Sequence, residues 1–342
     1  MRGVAALSVV VFHFMEIAIS DYGNNFIGHG FLAVDFFFCL SGFVIGYAYD
    51  NRIGKMGVLN FFKARLIRLH PLVVLGSVLG LIGFLFDPVT GTAGYGAGRI
   101  ALIFLSSALV IPCPIMPDRG FNLFGFNAPA WSLFWEYVAN IGYAFLLWRL
   151  RRSFLVALTA VAAVVLFFVS YREGNMMGGW SGGTFWDGGP RVAFSFMAGL
   201  LVYRSNWRIK NNLGFGGLSI LLVLAFLMPF GKWNWVTEPA VVFLYFPFLV
   251  ALGAGAMPGA ASKKLCILSG KLSYPLYMSH YWAMWLFADY FGLHHPGGMR
   301  LFLIVSVGVV CLSGLAWVVM RSYDLPVRAW LGKTRRAEPG QF

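Results

Sequence analysis

The chain has 342 residues, of which 59% are hydrophobic, 18% aromatic and 11% charged, with a formal net charge of +13. Soluble domains average about 45–50% apolar and about 25% charged residues, so this composition excludes an ordinary cytosolic enzyme, a disordered chain and a secreted disulfide scaffold. What remains is an all-α, polytopic membrane protein.

Apolar segments fall at about 3–20, 30–49, 70–86, 100–117, 128–148, 154–171, 190–203, 213–230, 238–257, 272–291 and 300–320. His13 and Glu16 lie inside the first, which argues against a cleaved signal peptide. The basic residues sit in short clusters between these runs, the pattern of membrane topology and not of nucleic-acid binding. The clusters are Arg52/Lys55/Lys63/Arg65/Arg68, Arg149/Arg151/Arg152, Arg204/Arg208/Lys210, Lys263/Lys264/Lys271 and Arg321/Arg328/Lys333/Arg335/Arg336. Placing all of them in the cytoplasm leaves segment 100–117, with Pro112, Pro114 and Pro117 at its end, as a re-entrant or interfacial piece. About ten transmembrane helices follow, with both termini cytoplasmic. The expected organisation is a membrane domain over 1–331 and a short basic cytoplasmic tail over 332–342. On this topology twenty of the 26 Lys and Arg residues are cytoplasmic. The Gly-rich stretch 174–189 lacks the setting of a phosphate loop and reads as a flexible outer loop. Cys39, Cys113, Cys266 and Cys311 have no metal-ligand spacing, so neither a metal nor a redox role is expected.

Ionisable side chains inside apolar runs cost about 2.5–3.5 kcal/mol at mid-membrane, so they are functional candidates by default. Arg2 and His13 are eleven residues apart, nearly three helical turns, and share one helix face about 16 Å apart. A neutral imidazole at that depth suits proton removal near pH 7. Asp35 falls in the outer half of the run GFLAVDFFFCLSGFVIGY, where Gly42 and Gly46 allow close approach of another helix or of a slender ligand. The stretch 58–71 reads as an interfacial amphipathic helix, with Arg65 and Arg68 forming a fork suited to phosphate. In 127–143, Ser132, Glu136, Asn140 and Tyr143 make a polar stripe. Ser273, Tyr277 and His280 make another in LSYPLYMSH.

These pieces resemble the acyltransferase-3 family of integral membrane acyltransferases. The matching residues are Arg2-Gly3-Val4-Ala5-Ala6 with His13, then GFLAVDFFFCLSGFVIGY, ARLIRLHP and WSLFWE. LSYPLYMSH and Tyr323-Asp324-Leu325-Pro326-Val327-Arg328 fit more loosely. The resemblance implies ten membrane helices and transfer of an acyl group, usually acetyl, from acyl-CoA to a hydroxyl, often on a sugar of an exported glycan. It implies a multi-pass protein of the bacterial inner membrane with acetyl-CoA as donor and a glycan as partner. By position, His13 is then the catalytic histidine with Arg2 on its stripe. Arg65 and Arg68 lie on the donor side, Ser41, Gly42 and Phe43 by the acyl-CoA channel, and Glu136, Trp131 and Ser132 in the later motif. Family members carry a few residues ahead of the arginine where this sequence has Met1, so a slightly longer native chain is expected.

Within this reading His13 is the general base, and direct transfer and an acyl-histidine intermediate are both open. Asp35 and Glu136 are the candidates to orient the imidazole or hold the acceptor. Tyr277, Asn140 or backbone amides are the candidate donors to the tetrahedral oxyanion, and His280 joins the acceptor candidates. Trp131, Trp180 and Trp186 could stack on sugar faces. The rival is a proton-coupled transporter with His13, Asp35 and Glu136 as its relay. Oligomeric state leaves no mark on the sequence.

Overall fold

The computed structural model describes residues 1–90, 94–257 and 260–337. In chain order its α-helices are α1 (Arg2–Ala18), α2 (Ala33–Tyr49), α3 (Ile53–Met56), α4 (Val58–Leu85), α5 (Ala97–Leu109), α6 (Ala130–Phe145), α7 (Arg152–Glu173), α8 (Gly188–Arg204), α9 (Gly214–Phe226), α10 (Asn234–Ala240), α11 (Phe246–Gly255), α12 (Ala260–Ser279), α13 (Tyr281–His294), α14 (Gly298–Val319) and α15 (Leu325–Ala337). Among the described residues there are no strands, only the isolated bridges Asn122–Ser181 and Asn211–Ala256. Among the described residues five helical stretches are long and apolar enough to cross a bilayer: Gly30–Tyr49, Val58–Leu85, Arg152–Glu173, Asn234–Gly255 and Gly298–Gly332. The protein is an integral membrane protein. Helices α1, α6 and α8, of 17, 16 and 17 residues, are shorter than a full span, which takes about 20 residues.

The most extensive helix contact is between α2 and α8. The two run parallel, as their pairings show. Asp35 meets Arg191 near their starts and Asp50 meets Arg204 near their ends. Between these ion pairs Gly42 lies against the Phe196 carbonyl, and Gly199 against that of Cys39. Gly46 faces Tyr203 and Leu200. Small residues let backbones approach where lipid supplies no hydrophobic drive for association. The Gly42–Gly46 pair is thus used for another helix. Any side chain at Gly42 would overlap the α8 backbone.

Three sequence expectations are revised. The amphipathic stretch 58–71 and the segment 70–86 are one 28-residue helix, α4, with Pro71 inside it. Proline at 71 leaves the Ile67 carbonyl without its helical N–H, and the Tyr274 and Tyr323 hydroxyls tie this turn to its neighbours by donating to the Leu69 and Pro71 carbonyls. Segment 272–291 is instead broken at His280, between α12 and α13. The basic cluster Lys263/Lys264/Lys271 lies within α12.

The Gly-rich stretch is an ordered, tied loop. Arg172 binds Asp187 at 2.6 Å, Arg191 donates to the Gly178 carbonyl at 2.7 Å, and the Met176 amide donates to Glu238 at 2.5 Å. Composition alone gave no sign of these distant partners. Helix α15 continues to Ala337, past the expected boundary at 331/332. Residues 338–342 of the expected tail lie outside the described residues.

Candidate active site

Two cavities lie along α1. The larger, about 370 Å³, has His13 and Glu16 in its wall, with aromatic faces from Tyr22, Trp131, Trp180, Tyr281 and Trp285 and polar groups from Arg119, Asn122 and Arg191. The smaller, about 40 Å³, is lined by Arg2, Ser41, Ser132, Glu136, Ser273 and Tyr274, among others. Val34 and Tyr277 line both. The eleven-residue spacing thus places Arg2 at one cavity and His13 at the other.

At the larger cavity, His13 Nδ1 bonds Glu16 Oε1. The Tyr22 hydroxyl donates to Glu16 Oε2 at 3.2 Å. An ionised carboxylate only accepts, so a neutral His13 carries its proton on Nδ1 and presents the Nε2 lone pair. His280 stacks on the same ring at 5.3 Å between centroids, and Tyr281 meets it edge-on at 4.8 Å. His280 Nδ1 lies 2.9 Å from the Tyr277 carbonyl and 3.1 Å from that of Leu276, so its proton is also on Nδ1.

The carboxylate at His13 is therefore Glu16. Asp35 is fully buried and forms a two-point ion pair with Arg191, at 2.6 and 3.1 Å. Arg191 also lies 5.1 Å from the Trp131 ring centre. Among the described residues neither Asp35 nor Glu136 is hydrogen-bonded to His13; their carboxylates are held by Arg191 and by Arg65 with Ser41. The three members of the expected proton relay are thus held by separate partners, and nothing in the arrangement supports the transporter reading.

At the smaller cavity, Glu136 Oε1 accepts from Arg65 at 2.7 Å and from Ser41 at 2.9 Å. Arg2 stands within electrostatic reach of Arg65, Arg68 and Glu136. Arg68 also faces Asp324, which is paired with Arg328. The C-terminal Tyr-Asp-Leu-Pro-Val-Arg segment thereby packs beside the arginine fork. The Nε atoms of both Arg2 and Arg65 are buried without a partner. Phe43 lies edge-on to Tyr203 in the α2–α8 contact. Asn140 donates to the Glu136 carbonyl. Gly42, Phe43, Asn140 and His280 therefore support the walls, whereas Arg2, Ser41, Ser132 and Glu136 line the smaller cavity and Trp131 and His13 the larger.

A profile described as an acyltransferase domain matches residues 1–318. The chain belongs to the acyltransferase-3 family. It is an acyltransferase built into a membrane. A relative from Rhizobium radiobacter, protein 2 in the picA locus, is 36% identical over 178 residues, covering 48% of this chain and 89% of its own. No solved structure matches the chain.

Arg191 was not among the sequence candidates, although it begins an apolar run and is 1% exposed. A lone arginine there is a signal of the same kind as Asp35. Arg119 was also missed. It is 6% exposed, donates to the Gly125 carbonyl at 2.6 Å and lies 4.8 Å from the Trp285 ring centre. It falls in a loop rather than an apolar run, so a search for charges in spans passes over it.

Proposed function

We propose that this acyltransferase moves an acetyl group from cytoplasmic acetyl-CoA to a hydroxyl of a sugar in an exported glycan. It would do so from a bacterial inner membrane, with about ten spans and cytoplasmic termini. The observation that carries the reading is the pair of adjoining cavities. One is lined by Arg2 and Glu136, with Arg65 bonded to that carboxylate and Arg68 within electrostatic reach of Arg2, and the other holds His13 with Nε2 free of Glu16. The unpartnered Nε atoms of Arg2 and Arg65 fit an anionic ligand, because guanidinium binds phosphate through two parallel N–H donors. The aromatic faces and scattered polar groups around His13 suit a sugar.

In the proposed reaction His13 Nε2 takes the proton of the acceptor hydroxyl as its oxygen attacks the thioester carbonyl. The carbon–sulfur bond then breaks, and the CoA thiolate leaves and receives the proton from the imidazolium. The products are the ester and free CoA. Glu16 fixes the imidazole tautomer throughout.

Arg65→Ala with Arg68→Ala tests the donor side. Charged hydrogen bonds contribute about 1.5–3 kcal/mol each, so acetyl-CoA binding measured by calorimetry on the purified chain is expected to weaken by at least about tenfold. Unchanged affinity in a correctly inserted protein would remove these arginines from the donor site.

A further inference from the structure

The two cavities meet at a wall made of Val34 on α2 and Tyr277 on α12. Tyr277 and Ser132 of α6 are both buried, with their hydroxyls 2.9 Å apart. Ser132 also donates to the Pro129 carbonyl at 3.0 Å, so its one proton is committed and Tyr277 is the donor to Ser132. Phe37, which lines the small cavity, meets the Tyr277 ring edge-on at 5.7 Å. Pro275 lies two residues before Tyr277, and α12 ends two residues after it. The tyrosine therefore stands in a short last turn whose helical bonding is already incomplete.

The smaller cavity, about 40 Å³, has room for water molecules only. No thioester arm fits there while the wall stands. We propose that Tyr277, latched to Ser132, closes the donor cavity from the acceptor cavity, and that its displacement by the arm admits the thioester to His13. Tyr277 thereby determines whether the acyl group goes to the acceptor or to water. With the latch closed, water in the larger cavity is kept from the donor side. With the latch weakened, water attacks the thioester carbonyl and gives its proton to His13. The carbon–sulfur bond breaks, the thiolate takes the proton, and free acetate and CoA result. This inference rests on the donor and acceptor sides proposed above.

The test uses the full chain in membranes with acetyl-CoA, with and without glycan-bearing acceptor. Free thiol and base-labile ester are measured separately. Ser132→Ala leaves the Tyr277 ring in place and removes the latch acceptor, and Tyr277→Phe removes the latch donor. One hydrogen bond contributes about 1 kcal/mol net, so each change is expected to raise acceptor-independent thiol release about fivefold, with ester formation continuing. Two results overturn the latch. In the first, wild type forms ester but both variants release thiol without acceptor at the wild-type rate. In the second, Tyr277→Phe abolishes thiol release and ester formation while Ser132→Ala retains both, which makes the hydroxyl a participant in the reaction. If wild type releases no thiol from acetyl-CoA under either condition, the donor assignment itself fails and the latch falls with it.

Discussion

His13→Ala is expected to lower acyl transfer by about a hundred- to ten-thousand-fold, the range over which a positioned general base acts. Binding of acetyl-CoA should persist, because His13 lines the larger cavity, whereas Arg2 lines the smaller one and Arg65 bonds Glu136 in its wall. Glu16→Ala should give a lesser loss. It leaves the imidazole in place and removes the carboxylate that fixes Nδ1 as the protonated nitrogen. The check is the rate of ester formation at saturating donor, with donor affinity measured in parallel. Full activity in His13→Ala would exclude it as the base. An activity loss confined to donor affinity would move it to the binding side.

Asp35→Ala is expected to fail in a different way. Its carboxylate is the ion-pair partner of Arg191, and both are almost fully buried. Removing one member of such a pair leaves an uncompensated charge and costs about 3–5 kcal/mol, a large part of the stability of most folds. The thermal midpoint of the detergent-solubilised protein should drop sharply, with a low yield from membranes. Asp35→Leu with Arg191→Leu should recover only part of that loss, because Arg191 also holds the Gly178 carbonyl of the tied loop. A stable but inactive Asp35→Ala protein would instead give Asp35 a direct part in the chemistry. These two outcomes separate the role of Asp35 from that of His13.

Both are charged or titratable groups in apolar runs, and scarcity of charge made them visible in the sequence. What scarcity does not supply is the partner. Asp35 and Arg191 are 156 residues apart, and Glu136 and Arg65 are 71 apart. No local pattern links them, so orienting His13 seemed open to either carboxylate. Glu16 is only three residues from His13, one turn further along the same face of α1. It was overlooked as the orienting group because the two mid-run carboxylates drew the role.

Helix faces were legible where a repeat held. The Arg2–His13 spacing does run along α1, and the polar stripe of 127–143 does lie on α6 with Ser132 and Glu136 at one cavity. Helix limits were less so. The interfacial stretch 58–71 and the segment 70–86 read as two elements, yet α4 runs on through Pro71, where Tyr274 and Tyr323 bond the Leu69 and Pro71 carbonyls. The reverse holds at His280, where an unbroken apolar pattern conceals the break between α12 and α13. The glycines of SGFVIG left two readings open, helix or ligand, and the α8 backbone against Gly42 decides for the helix. In each case long-range packing overrode a local signal.

The most direct measurement follows a labelled acetyl group. Acetyl-CoA labelled in the acetyl carbon is supplied to membranes containing the chain and its glycan, and label in glycan is measured with free thiol over the same time course. Label should appear in the glycan as a base-labile ester, in step with thiol released, and both should be lost in His13→Ala. Thiol release without labelled glycan, or labelled glycan undiminished in His13→Ala, would contradict transfer from the arginine-lined cavity to an acceptor at His13.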